Sequence, residues 1–387
     1  MTLSLLALAL IAQAGDTPIT NLHDPSEPRA RARAEQVYIH RPDGDWTYSH
    51  HPSLIWHEGR YHAMWSNGRK DEDAPGQRIL ISSSSDFLNW SPARPLVDSM
   101  SGTHSERVLT AAGFHSHAGK LVAYFGQYEY QADIADRGER PEGDTHHQDV
   151  RLRALVSDDG ESWGEILDLG LPVVPNHPPT PTRTGRLILC GHTSFPFTDD
   201  PSGLRGWRMS GIYPKEMGEG FFDDSEGFHK VQEEAGWPVG LCEGSFFQTD
   251  DGVLHMLLRS GTERLWVTES RDEGETWSAP RPTQFTDNVA KFHFGRLPDR
   301  RFHQVGNPDP QSPGRRNPLV LSLSRDGIRF DKEWVLADQP YEVKYPGMSK
   351  GGAYAYPHSI VHDKYLCVIV SVGKESVLVL RVPLESL

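Results

Sequence analysis

Runs of alternating apolar and polar residues recur along the chain, each broken by a tight turn and continued by a second run. The clearest lies between Pro52 and Trp65, where Ser53-Leu54-Ile55-Trp56 leads into Glu58-Gly59 and out through Tyr61-His62-Ala63-Met64-Trp65. Similar units surround Gly119, Gly185, Gly252, Arg300 and Lys364. Period-two patterning with β-branched and aromatic residues on both sides of a turn predicts paired antiparallel strands. Six hairpins are therefore expected, and the fold class is all-β.

A second pattern marks further turns. Its fullest copy is Ser270-Arg271-Asp272-Glu273-Gly274-Glu275-Thr276-Trp277, with shorter copies at Ser157 to Trp163 and Ser324 to Phe330 and a degenerate one at Ser84 to Trp90. In each, an Asp carboxylate is placed to accept bonds from its own turn, a Gly or substitute permits the reversal, and an aromatic anchors it. The pattern resembles the Asp box of the sialidase superfamily, whose members fold as β-propellers and carry the box as a structural turn on the outer part of a blade. The resemblance implies a single propeller domain over residues 15–387. Six blades are visible, and a seventh is open if the 204–236 stretch or the N-terminal segment supplies one. It gives the boxes no catalytic role. Residues 132–148, rich in charge, read as a long inter-strand loop.

Composition narrows the partners. A formal net charge of -14 offers no basic field to nucleic acid or an anionic membrane, so an acidic substrate must be held by a local cluster of cations. Met1 to Ala14 is a short apolar run ending in Ala12-Gln13-Ala14 and reads as a signal peptide, which implies an exported protein, periplasmic or secreted. No later run approaches the roughly 20 apolar residues of a membrane span. Cys190, Cys242 and Cys367 lie too far apart for a thiolate metal site and read as buried thiols with at most one bridge. A monomer is expected. No cofactor is called for, and a structural calcium is left open.

Aligning the six units on their turns places His50, Thr110, Asn176, Glu243, Lys291 and Ala355 at the start of the innermost strands. One step on come His51, Ala111, His177, Gly244, Phe292 and Tyr356. In a propeller these strands run side by side around the axis, so the positions converge at one mouth of the channel. Polar residues dominate where a purely structural strand would carry Val or Ile. The same alignment puts His57, His117 and His362 at turns, as solvated residues. His115 and His117 form a His-x-His pair without an evident third ligand, so no metal is expected there. His146 and His147 read as a solvated pair.

The mouth also resembles the sialidase site. His50-His51-Pro52-Ser53-Leu54 stands where that family has Arg-Ile-Pro-Ser-Leu, and Arg69 and the acidic run Asp71-Glu72-Asp73 follow at similar spacing. Glu243 and Arg259 resemble the family's Glu and later Arg, Arg316 resembles the last Arg of its triad, and Tyr356 falls near the nucleophilic Tyr. The leading Arg is replaced by His50. An imidazole is not a fixed, two-pronged cation, and it is suited to moving protons, so the resemblance implies an acidic sugar other than sialic acid. Tyr48-Ser49-His50-His51-Pro52 and Tyr354-Ala355-Tyr356-Pro357-His358 are similar to a propeller family acting on L-rhamnosyl-α-1,4-D-glucuronate caps of arabinogalactan. There a His at this first-blade position is taken as catalytic.

The expected chemistry is exo-acting β-elimination on a uronate-containing glycan. It needs cations to neutralise the carboxylate, a base and an acid. Arg259 and Arg316, with Arg69 or Lys291, fit the first need, with Asn176 also on the substrate. His50 or His51 fits the second, and Tyr356 or His177 the third. Glu243 can orient a neighbour or act as base. Two alternatives remain open: a glycoside hydrolase using Tyr356 with Glu243 and Asp71 or Asp73 as acid, and a glycan-binding propeller without catalysis.

Overall fold

A computed structural model of the chain describes residues 18–24, 27–131, 147–212, 233–238, 240–310 and 316–387. The proposed signal peptide, His146 and nearly all of the 132–148 loop lie outside them, and Gln148 already begins a strand.

All six expected hairpins are present, and four of the six units grow to four antiparallel strands in chain order. Blade one comprises Tyr48–His57, Arg60–Gly68, Arg78–Ser84 and Arg94–Val97. Blade two comprises Val108–His117, Lys120–Glu129, Gln148–Ser157 and Leu167–Asp168. Blade three has three strands, His177–Pro181, Leu187–Cys190 and Phe197–Thr198. Blade four runs from Cys242–Gln248 through Leu254–Arg259 and Arg264–Ser270 to Arg281–Thr286. Blade five runs from His293–Arg296 through Phe302–Gly306 and Leu319–Ser324 to Arg329–Ala337. Blade six contributes Tyr354–His362, Tyr365–Val372 and Ser376–Pro383, and its fourth strand is Glu35–His40 from the N-terminal region. Each first strand neighbours the first strand of the next blade except that of blade three, whose second strand meets blade four; the last blade closes on the first. The arrangement is a β-propeller.

Neither candidate for a seventh blade forms one among the described residues. Arg208 and Gly211 bridge back to Phe197 and Ser194 and widen blade three. The N-terminal segment completes blade six, and its Thr20–Asn21 strand wedges in parallel between blades four and five. Closing the ring with a distant strand removes an exposed edge that would otherwise template aggregation.

Alternation along the strands has a different meaning from the one the pattern suggested. Blades are covered on both faces, so successive residues point into two different apolar seams rather than to core and solvent. Met64, Ile79 and Ile81 pack toward blade two, while Ala63, Trp65 and Leu80 pack toward blade six. A separate apolar cluster fills each of the six seams. All three cysteines are free, and Cys242 is half-buried rather than buried.

The four Asp boxes close the turns from third to fourth strand in blades one, two, four and five. Oδ1 of Asp86, Asp159 and Asp326 each accepts two backbone N–H groups of its turn, and Asp272 accepts from Thr276. Substituting Asp272→Ala removes bonds at an exposed rim and should cost about 1 kcal/mol. Ile369→Ala, in the seam between blades six and one, should cost about 2–5 kcal/mol. Urea unfolding of the two variants checks this, and equal losses would show that the seams do not dominate.

Candidate active site

Five of the six innermost strands slip register near their start: between His50 and Ser53, Ala111 and Gly113, His177 and Thr180, Cys242 and Ser245, and Ala355 and His358. A bulge leaves an extra residue unpaired and re-aims its side chain. His51, Glu243 and Tyr356 occupy these bulges with φ of 52°, 54° and 58°. Non-glycine residues rarely adopt this left-handed conformation, and such strain concentrates at functional sites. In blade two Ala112 is the unpaired residue and the left-handed one is Gly113 beside it, where a Cβ would come 2.4 Å from Ser53 Oγ. The three strained residues all line one cleft of about 210 Å³, with Glu72, Asp73, Asn176, His192 and Arg259 around them.

Glu243, Arg259 and Tyr356 form a closed triangle. The Tyr356 hydroxyl donates to Glu243 Oε1, Arg259 Nη1 donates to Glu243 Oε2, and the same Nη1 donates to Tyr356 Oη at 2.9 Å. Burial pushes the Tyr356 phenol well above its ordinary range, and the Glu243 carboxylate pushes it further. Burial opposes ionisation of Glu243, but Arg259 and the Tyr356 hydroxyl outweigh it and hold the carboxyl below its usual value. At neutral pH the triangle is therefore a neutral phenol hydrogen-bonded to a carboxylate that a guanidinium neutralises.

His50 and His51 stand beside it. The His50 ring lies 4.0 Å from the Tyr356 ring and the His51 ring 5.2 Å from it, centre to centre. His50 is fully buried, so it sits behind the cleft wall that His51 lines. Burial lowers both imidazoles, His51 to about 4 despite the opposing Glu72 charge. Glu72 is clasped by Lys374 Nζ on Oε2 and receives the Tyr48 hydroxyl on Oε1 at 3.3 Å.

Positive charge gathers under Tyr356. The Arg316 guanidinium lies 5.3 Å and the Lys291 ammonium 5.4 Å from its ring centre. Buried Nε and Nη1 of Arg316 and Nε of Arg259 have no hydrogen-bond partner among the described residues. Lys291 is 2% exposed, and burial drags its amine down to about 8. Burial likewise raises the Asp287 carboxyl to about 7 against the pull of Arg259 and Arg316.

The fold thus brings together His50, His51, Glu243, Arg259, Arg316, Lys291 and Tyr356, and Asn176 lines the same cleft. Two expected residues fall elsewhere. Arg69 pairs with Glu106 at 3.1 Å and packs over Trp46, because its long side chain reaches a carboxylate outside the cleft. His177 donates from Nε2 to the Phe292 carbonyl at 2.9 Å and joins His293 and His358 deeper in the channel, which makes it a fastening between blades. Three histidines read as solvated make packing contacts instead, His57 buried and the other two half-buried. His57 is buried against Ser116 of the next blade, His362 stacks on Trp56, and His147 packs on Tyr128 at the cleft. The pattern missed His192, Lys374 and Asp287 as site residues. Lys374 carries no signal in local sequence because its partner Glu72 is 302 positions away.

Lys291 gives a stability test. Its folded value near 8 lies below the ordinary 10.5, so the unfolded chain holds the proton more tightly and the native state is penalised below about pH 8. Lys291→Met should be more stable than the parent at pH 7, by about 3 kcal/mol at most. The gap should close between about pH 8 and 10.5 as the unfolded amine also loses its proton. Denaturant unfolding across that range measures it, and a pH-independent gap would contradict the assignment.

Comparison with known proteins bears on the scaffold. A family model described as BNR repeat-like domain matches residues 59–366. No curated protein matches the chain. Among solved structures, a protein of unknown function from Dyadobacter fermentans shares 16% identity with a TM-score of 0.65, over 92% of this chain and 100% of that one. The leech intramolecular trans-sialidase shares 11% identity with a TM-score of 0.63, over 91% of this chain and 71% of that one. Trypanosoma rangeli sialidase shares 12% identity with a TM-score of 0.61, over 90% of this chain. This chain spans 59% of that longer protein. At such identities the likeness shows a common fold, and the match over most of the length means that this chain belongs to the BNR repeat-like domain family.

Proposed function

We propose that the protein is a retaining exo-glycosidase that releases a terminal acidic sugar, with Tyr356 as nucleophile and Glu243 as its base. The observation that carries this reading is the Tyr356 hydroxyl donating to the Glu243 carboxylate in a cleft lined by Arg259, with buried N–H groups of Arg259 and Arg316 that have no partner among the described residues. As Tyr356 Oη attacks the anomeric carbon, Glu243 takes the phenol proton and the bond to the leaving oxygen breaks. Asp73 lines the cleft and is placed to protonate that oxygen, whereas Asp71 is fastened to the Ser349 N–H at 3.2 Å. Water then attacks the sugar, Asp73 accepts its proton, and the phenol regains its own from Glu243. A phenol that stays neutral until attack suits an anionic sugar, which a carboxylate nucleophile would repel. Arg316, Arg259 and Lys291 supply the cations for the sugar's carboxylate. The cleft has room for a single sugar ring, which favours exo action.

Elimination is the less favoured reading. Its base would be His51, whose imidazole is pulled to about 4 and is correspondingly weak. Rhamnosyl-glucuronate is a candidate substrate under elimination alone, because its terminal sugar is the neutral rhamnose.

Aryl glycosides of ulosonic acids and uronic acids, together with rhamnose-capped arabinogalactan, should separate these readings. Release of an acidic sugar without unsaturated-uronate absorbance is expected. Appearance of that absorbance, or release of neutral sugars alone, would overturn the proposal. Glu243→Gln should lower kcat about 10²- to 10⁴-fold. A fluorinated acidic-sugar substrate should leave its mass on the peptide containing Tyr356. Because Lys291 is cationic only below about pH 8, KM for the acidic substrate should rise above that pH in the parent and lose this rise in Lys291→Met.

A further inference from the structure

Three side chains at and behind the cleft wall bring ligand atoms toward one spot. His50 Nε2 lies 3.5 Å and His51 Nε2 3.7 Å from Glu72 Oε1, and one ligand atom from each of the three residues falls within 4.8 Å of the others. A tetrahedral ion with bonds near 2.1 Å has ligand-to-ligand edges of about 3.4 Å. The two separations to Glu72 Oε1 are close to the edges of such a shell.

The remaining polar atoms of the same residues are all tied down. The Ser371 hydroxyl donates to the Ala355 carbonyl at 3.0 Å, so its lone pair receives the Nδ1–H of His50 at 2.6 Å. Ser66 Oγ, which accepts the Ala111 N–H, holds His51 Nδ1 at 3.2 Å. Lys374 holds Glu72 Oε2. This outer shell fixes the direction of all three residues and the tautomer of His50, as such shells do for metal-binding histidines and carboxylates. It also leaves His50 Nε2 as a bare lone pair, in a fully buried ring with no hydrogen-bond partner among the described residues, facing a carboxylate oxygen. Two acceptors facing each other call for a cation between them.

The geometry points to a divalent first-row metal ion, zinc in preference, bound by His50, His51 and Glu72. Two imidazoles and one carboxylate suit zinc-like ions and disfavour calcium or magnesium. Tyr48 also donates to Glu72 Oε1, at 3.3 Å. His51 and Glu72 line the cleft, so a fourth coordination position opens into it. Two neutral imidazoles and one carboxylate leave the ion with net positive charge, which an anion at that position offsets. Under the glycosidase reading, on which this last step alone rests, the anion is the sugar's carboxylate.

The test is metal binding by the full chain, stripped with a chelator and titrated with zinc by calorimetry and with cobalt by visible absorption. One equivalent per chain with a tetrahedral cobalt spectrum is expected. His51→Ala and Glu72→Gln should each abolish the stoichiometric site, and Ser371→Ala should weaken it about 10- to 100-fold. Replacing both His115 and His117 with Ala removes a surface pair that could bind metal adventitiously, and it should leave the equivalent in place. Tyr356→Phe should also retain it while losing any glycosidase activity, which separates this inference from the proposed reaction. Circular dichroism confirms folding, and His51→Ala, at the cleft wall, is the variant least exposed to a folding defect. Absence of binding by the parent, or binding unchanged in His51→Ala, would show that only a shared proton lies between His50 and Glu72.

Discussion

The triangle of Glu243, Arg259 and Tyr356 ties blade four to blade six across the channel mouth, and the geometry of the cleft follows from it. Stability does not explain such a clasp. Taking a carboxylate and a guanidinium out of water costs several kcal/mol per ion, and a buried pair of this kind often does no better than apolar residues of the same volume. Two members of the triangle, Glu243 and Tyr356, also hold left-handed backbone, at a cost of about 1–3 kcal/mol each. The six apolar seams are what carry these expenses. A propeller can hold strained, desolvated polar groups at its axis because both faces of every blade are buried elsewhere.

Much of this scaffold was legible in the sequence because turns have local signatures. Glu58-Gly59 and the Asp boxes announce their reversals within a few residues, and counting from those turns was enough to bring His50, His51, Asn176, Glu243 and Tyr356 to one mouth. The two-sided burial of the blades was not legible, since alternation looks the same whether the second face meets water or another sheet. His57 shows the consequence: it stands at a turn, as counted, but the neighbouring blade covers it through Ser116.

The site itself was half readable. Position along an inner strand follows from spacing, but the bulges that aim His51, Glu243 and Tyr356 into the cleft leave no hydropathy trace when the residue is not glycine. Where a long side chain finally rests is less readable still. Arg69 and Arg316 were equivalent as candidates, yet Glu106 captures the first while two buried donors of the second have no partner among the described residues. That difference depends on which acidic residue the fold brings within reach, and Glu106 gave no sign of it.

Charge supplies the last constraint. The chain as a whole carries a formal net charge of -14, yet Arg259, Arg316, Lys291 and Lys374 crowd around Tyr356 and Glu72, against Glu72, Glu243 and an Asp287 held near half-protonation at neutral pH. Low-dielectric walls focus such a local surplus, so the cleft attracts anions that the surrounding surface repels. Under the proposed reading, such a pocket favours a sugar that presents a carboxylate over a neutral one. The substitution of His50 for an arginine fits this logic, because the cleft keeps its net attraction through buried amines and guanidiniums while freeing one corner for a smaller, more directional group.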